Sequence, residues 1–192
     1  MTILILGLVI FLGVHSTRAV ADGWRSAQIA RVGPGPWKLG YTVLSLIGFY
    51  LLLWGYGMAR QTPVLLWNPP LAMRHIAGLL TLIAFVLLAA TYVPRNGIKA
   101  RLHHPMVLSV KLWAFAHLLA NGTLADVLLF GSFLAWSVLA FRAARRRDRA
   151  AGIHYPAGSM AGTLATVVVG GVAWALFAFW LHGWLIGVRP FH

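Results

Sequence analysis

The sequence predicts an all-α protein, a polytopic membrane bundle of about six transmembrane helices, and three observations predict it. Hydrophobic residues make up 60% of the chain and charged residues only 10%, with a mean hydropathy of +0.79; a soluble domain carries roughly 25% charged residues. The apolar residues gather into six runs, each near the ~20 residues that a helix needs to cross a bilayer. The basic residues alternate with those runs. Twelve lie in the connections after the first, third and fifth runs, and three (Arg60, Arg74, Arg189) on the opposite side. Because Lys and Arg collect in cytoplasmic loops, the twelve-charge side is expected in the cytoplasm, with both termini facing outward, the periplasmic side if the membrane is a bacterial inner membrane. The net charge of +13 is therefore read as membrane topology, with the lipid bilayer as partner and no nucleic acid.

The runs are expected over residues 2–20, 39–58, 73–92, 105–121, 123–142 and 162–186, in one transmembrane domain spanning 1–192. The first has no positive charge before its apolar stretch, so it is read as a retained helix and not a cleaved leader, despite Ala19-Val20-Ala21. His15, Arg18 and Asp22 are spaced to share one face, with Arg18 and Asp22 as an interfacial ion pair. Residues 21–38 begin as a helical extension and end at Gly33-Pro34-Gly35-Pro36, a breaker. Tyr41, Tyr50, Trp54 and Tyr56 in the second run read as interface anchors and packing. The third run opens with Arg74-His75 and leaves through the turn Tyr92–Gly97.

The fourth run has the most unusual composition. Pro105 suits a first helical position, where its missing N–H costs nothing. Ser109, Lys111 and His117 interrupt the apolar residues, and Asn121-Gly122 forms the stop, with Gly122 able to take a left-handed cap. His117 and Asn121 lie four apart and share a face. Ionisable groups inside membrane helices usually face the bundle interior and have a partner. The fifth run is nearly featureless, and the basic run Arg142–Arg149 after it reads as a juxtamembrane cluster against anionic lipid. In the sixth, Gly158-x3-Gly162 suggests a close helix crossing. His182 sits in an aromatic belt with Trp180 and Trp184.

Composition excludes much chemistry. The acids are Asp22, Asp126 and Asp148, and there is no Glu, which removes paired-carboxylate reactions such as glycoside hydrolysis. There is no Cys, so disulfides, thiolate metal sites, iron–sulfur clusters and covalently attached c-type haem are excluded. Histidines remain as the main metal-capable side chains.

Two elements carry a family resemblance. One is Gly13-Val14-His15-Ser16 with Arg18. The other is His104-Pro105 followed by Leu112-Trp113-Ala114-Phe115-Ala116-His117-Leu118-Leu119-Ala120-Asn121-Gly122. Together they resemble the NnrU family of membrane proteins, named from a bacterial denitrification cluster and itself similar to the plant and cyanobacterial cis-zeta-carotene isomerase. The family usually has Arg before His-Pro and Asp after Asn-Gly, where this chain has His103 and Thr123. The resemblance implies a non-covalent haem b held by His15 and His117. Arg18 is placed to meet a propionate, and Asn121 or Trp113, each four residues from His117, to orient its ring.

Depth raises a difficulty for that pair. His15 lies near the cytoplasmic end of its helix, whereas His117 comes about twelve residues in from the same side, roughly 18 Å. His15 with His104 is the level-matched alternative, and packed or interfacial histidines are the bland one. The resemblance implies support of denitrification or nitric-oxide metabolism, with haem as a redox or ligand-switch site and a redox partner that the sequence does not name. The alternative it implies is an isomerase acting on a lipophilic polyene such as a carotene. A membrane methyltransferase is the third reading, weakened by the absence of Glu. A transporter is the fourth, weakened by the absence of matching broken helices in two halves.

Overall fold

In the computed structural model, which describes residues 1–191, five helices are long and apolar enough to cross a membrane and one apolar helix is shorter. The order is α1 (Thr2–Val20), α2 (Asp22–Val32), α3 (Pro34–Ala59), α4 (Leu71–Tyr92), α5 (Gly97–Leu102), α6 (Pro105–Ala120), α7 (Leu124–Ala150), α8 (Met160–Leu176), a π turn (Phe177–Leu181) and α9 (His182–Ile186). The last three run on as one 27-residue rod, Met160–Ile186. The short member is α6, at 16 residues, or roughly 24 Å.

The six rods stand in an arc whose spatial order is α3, α1, α7, α6, α4, α8. Glycines set the closest crossing, between α1 and α3. A Cβ on Gly7 would collide with the Leu52 backbone, and one on Gly55 with the Leu4 backbone. Leu4, Leu8, Leu52, Ala114, Ala125, Leu129 and Phe130 form a buried cluster where α1, α3, α6 and α7 meet. The outward faces carry exposed Leu, Val, Ile and Trp side chains, as suits lipid contact.

The start of α1 and the end of α9 lie at one end of the bundle. Leu4 packs against Gly55 near the end of α3, and the Arg60 guanidinium donates to the Ile186 carbonyl at 2.9 Å. The arginine-rich side is opposite, where Arg147 donates to the Arg18 carbonyl at 3.0 Å. The link from α3 to α4 spans the first of these ends. It is held to the α6–α7 turn by Leu66 N–H to the Gly122 carbonyl at 2.8 Å and Leu124 N–H to the Val64 carbonyl at 2.9 Å.

Several local expectations change. The stretch after α1 is a separate helix, because Ala21 leaves helical geometry (φ −139°, ψ 44°) and Gly33 takes φ +87°. Only Gly33 breaks the chain there; Pro34 begins α3, five residues before the expected start. Asp22 pairs with Arg25 at 3.8 Å, since the break at Ala21 takes it off the Arg18 face. Gly122 is not left-handed; a Cβ there would run into the Trp67 carbonyl oxygen. Close approach, not φ, therefore requires this glycine. The Gly158 and Gly162 pair packs on the Arg95–Gly97 turn instead of on another helix. Finally, α7 continues eight residues beyond its expected end, carrying the arginine run as its last two turns.

Candidate functional site

His15 and His117 share one local design. Nδ1 of His15 lies 2.7 Å from the Phe11 carbonyl oxygen, and Nδ1 of His117 lies 2.8 Å from the Trp113 carbonyl oxygen. A helix whose side chains lean toward its N-terminus brings each ring over the carbonyl four residues back. Nδ1 therefore carries the proton in both, and Nε2 keeps its lone pair, the arrangement typical of metal-bound histidine. Trp113 thus orients His117 through its carbonyl, as the spacing suggested, and its ring adds a contact at 5.1 Å between centroids. Asn121 does not reach the ring. Its amide donates to the His117 carbonyl at 2.8 Å and so closes the end of α6.

The two rings have separate surroundings. His15 meets Phe11, Tyr41 and Trp136, with centroid distances of 4.2, 5.3 and 6.3 Å. His117 stacks on Phe130 at 4.7 Å. Trp136 and Phe130 are six residues apart on α7, roughly 9 Å along its axis. Ring contacts connect the two sites through Phe11–Phe133 at 5.9 Å and Trp113–Phe133 at 5.6 Å. Imidazole–metal bonds of about 2 Å would set two ligands of one ion some 4 Å apart, so a shared ion requires this aromatic wall to part.

His15 lines two cavities on the arginine-rich side, and Arg18, one turn on, lines both with it. The first, about 620 Å³, lies among α1, α2, α3 and α7 and adds Arg25, Lys38, Tyr41 and Trp136. The second, about 610 Å³, lies among α1, α6 and α7 and adds His104, Arg147, Asp148 and Ile153. Both volumes suit a small ligand or cofactor. His104 thus shares a cavity with His15, as their depth suggested. Its Nε2, however, donates to Asp148 Oδ2 at 2.8 Å, which leaves only Nδ1 for a ligand.

Around Asp148 the structure builds a polar cluster that sequence reasoning missed. Tyr155 donates to the same Asp148 oxygen at 2.9 Å, and His103 meets Tyr155 edge-on at 4.2 Å. His103 has φ +69°, and its Nδ1 is buried without a partner. Burial, then the Arg145 guanidinium, draws its pKa below the ordinary imidazole value. Burial alone would raise the Asp148 carboxyl; the bonds from Tyr155 and His104 and the nearby charges outweigh it and hold the pKa low. Burial and then the bond to Asp148 raise Tyr155. A single acid inside an arginine run was the available signal. At the other end of the bundle, Asp126 is buried, caps α7 with Thr123 and accepts from the Tyr56 hydroxyl at 2.6 Å. The Thr123-x-x-Asp126 spacing is a capping-box pattern. Among the described residues, no three His or Asp side chains are grouped to hold a metal ion.

A family model described as NnrU protein matches residues 3–190. The chain belongs to the NnrU family. The match covers all six rods, including both histidine-bearing helices. No curated protein and no solved structure matches.

Proposed function

We propose that this NnrU-family membrane protein holds a non-covalent haem b and uses it as a redox or ligand-switch site in nitrogen-oxide metabolism, in a bacterial inner membrane. The observation that carries the reading is the state of His15. Its Nδ1 is fixed to a backbone carbonyl, its Nε2 is free, and it lines two ligand-sized cavities beside Arg18. The donor set suits haem b, which needs imidazole but no cysteine. His15 would hold the iron and Arg18 a propionate. His117, with the same tautomer, is the chemically matched second ligand; His104 is not, because Asp148 occupies its Nε2. Bound haem would supply one-electron chemistry and a site for a diatomic gas. The chain's part is to fix the imidazole tautomer through the Phe11 carbonyl and to offset propionate charge with Arg18, and Phe11, Phe133 and Trp113 would have to part for His117 to reach the same iron. The cations among otherwise apolar walls favour a cofactor that carries anionic groups over an uncharged polyene.

The test is the absorption spectrum of detergent-purified protein, oxidised and reduced, after expression with ample haem. Sharp reduced bands that vanish in His15→Ala support the reading. Loss of the six-coordinate signature in His117→Ala identifies the second ligand, whereas an unchanged spectrum there excludes His117 as a ligand. A colourless wild-type protein overturns the proposal.

A further inference from the structure

The cavity among α1, α2, α3 and α7 gathers three cations with one long ion pair among them. Arg18, Arg25 and Lys38 line it. Among the described residues, neither the Arg18 guanidinium nor the Lys38 ammonium has a side-chain hydrogen bond or ion pair, and Arg25 has only the long 3.8 Å contact to Asp22. Trp136 lines the same space and keeps a buried indole N–H that no protein group accepts. The remaining wall is aromatic and apolar, with Trp37 and Tyr41 prominent.

The position of the cavity adds a second argument. None of the residues of α2 is buried, and α2 packs on α1 and α3. Trp24 of α2 meets Trp37 of α3 edge-on, with centroids 5.8 Å apart. A short amphipathic helix with an aromatic anchor lies at the boundary between headgroups and acyl chains. The cavity beneath α2 is thus at the depth where an amphipathic molecule changes from charged to apolar.

We propose that this cavity binds the head of an amphipathic anion, a phosphate or carboxylate carried on a hydrocarbon tail. Arg25 and Lys38 neutralise the head, and Trp37 and Tyr41 flank the start of the tail. The arginine run at the end of α7 differs. There Arg147 is already committed to the Arg18 carbonyl, and Arg146 and Arg149 project into solvent. The site uses the outer wall of His15 but does not depend on haem.

Native mass spectrometry of the full chain, released from nanodiscs of mixed phosphatidylglycerol and phosphatidylcholine, tests this. Wild type is expected to retain phosphatidylglycerol selectively. Arg25→Gln/Lys38→Gln is expected to lose that retention at least about fivefold, and Arg146→Gln/Arg149→Gln to keep it. Chemical protection of the wild type covers the case of a misfolded variant. Of the three lysines Lys38, Lys99 and Lys111, phosphatidylglycerol should shield Lys38 from an amine-reactive reagent and leave Lys99 reactive. Inorganic phosphate is the second arm. Shielding by phosphate as strong as that by lipid identifies a soluble anion as the source, and shielding by lipid alone identifies the headgroup with its tail. Equal retention of both lipids together with an unshielded Lys38 in both arms overturns the proposal, whatever the spectrum of the protein.

Discussion

The hydroxyl of Tyr56 donates to the carboxylate of Asp126 at 2.6 Å, joining α3 to α7 across seventy residues of chain. The other carboxylate oxygen accepts from the N–H and hydroxyl of Thr123, so both acceptors of this buried acid are used. Tyr56→Phe keeps the ring contact with Phe130 and leaves one oxygen without its donor. It should cost about 2 kcal/mol. Thermal denaturation in detergent measures this, and a double-mutant cycle with Asp126→Asn should show coupling between the two.

Gly55 and Gly57 are two residues apart on α3 and should respond oppositely to alanine. A Cβ at Gly55 meets the Leu4 backbone, whereas at Gly57 it meets nothing within 4 Å. Backbone cannot yield as a flexible side chain can, so Gly55→Ala should destabilise by about 1–3 kcal/mol. Gly57→Ala should be neutral or stabilise by up to about 1 kcal/mol through helix propensity. Melting temperatures of the two variants decide it.

The loop after α7 should stay docked to low pH. The Asp148 pKa is lower folded than unfolded, so its contribution is complete above the ordinary carboxylate pKa and disappears as pH falls through the folded value. Hydrogen exchange of residues 151–158, corrected for intrinsic rate, should rise only below that range. In Tyr155→Phe, which removes one bond to the carboxylate, the rise should begin at higher pH.

Because the chain has no cysteine, single reporters can test orientation. Gln61→Cys should react with a membrane-impermeant thiol reagent in intact cells, and Ala151→Cys only after permeabilisation. The reverse pattern would invert the expected orientation.

The crossings were legible because runs of about twenty apolar residues have few alternatives. Helix ends were less so. Pro34 and Pro36 suggest a stop, yet proline is tolerated in a first turn, and α3 starts there. The arginine run reads as a loop by charge, but Arg favours helix, and α7 continues through it. At the site, the spacing of Trp113 and His117 pointed to their contact, since four residues is one turn. The bond between His104 and Asp148 joins residues forty-four apart, and no local period reports it. The wall formed by Phe11, Phe133 and Trp113 likewise depends on which rods are neighbours, which a single sequence does not encode in its periodicity.

The placement of α3 and α4 at different positions in the arc bears on biosynthesis. They are consecutive in the chain but do not pack side by side; α4 rests on α6 and α8. The second crossing can settle against the first as soon as both have left the ribosome, whereas the third must wait in the bilayer for partners made later. The ribosome must therefore deliver more than half of the polypeptide before the strap over Gly122 can be fastened. A chain stalled before that turn should be an orphan for membrane quality control, with its third crossing still unpaired.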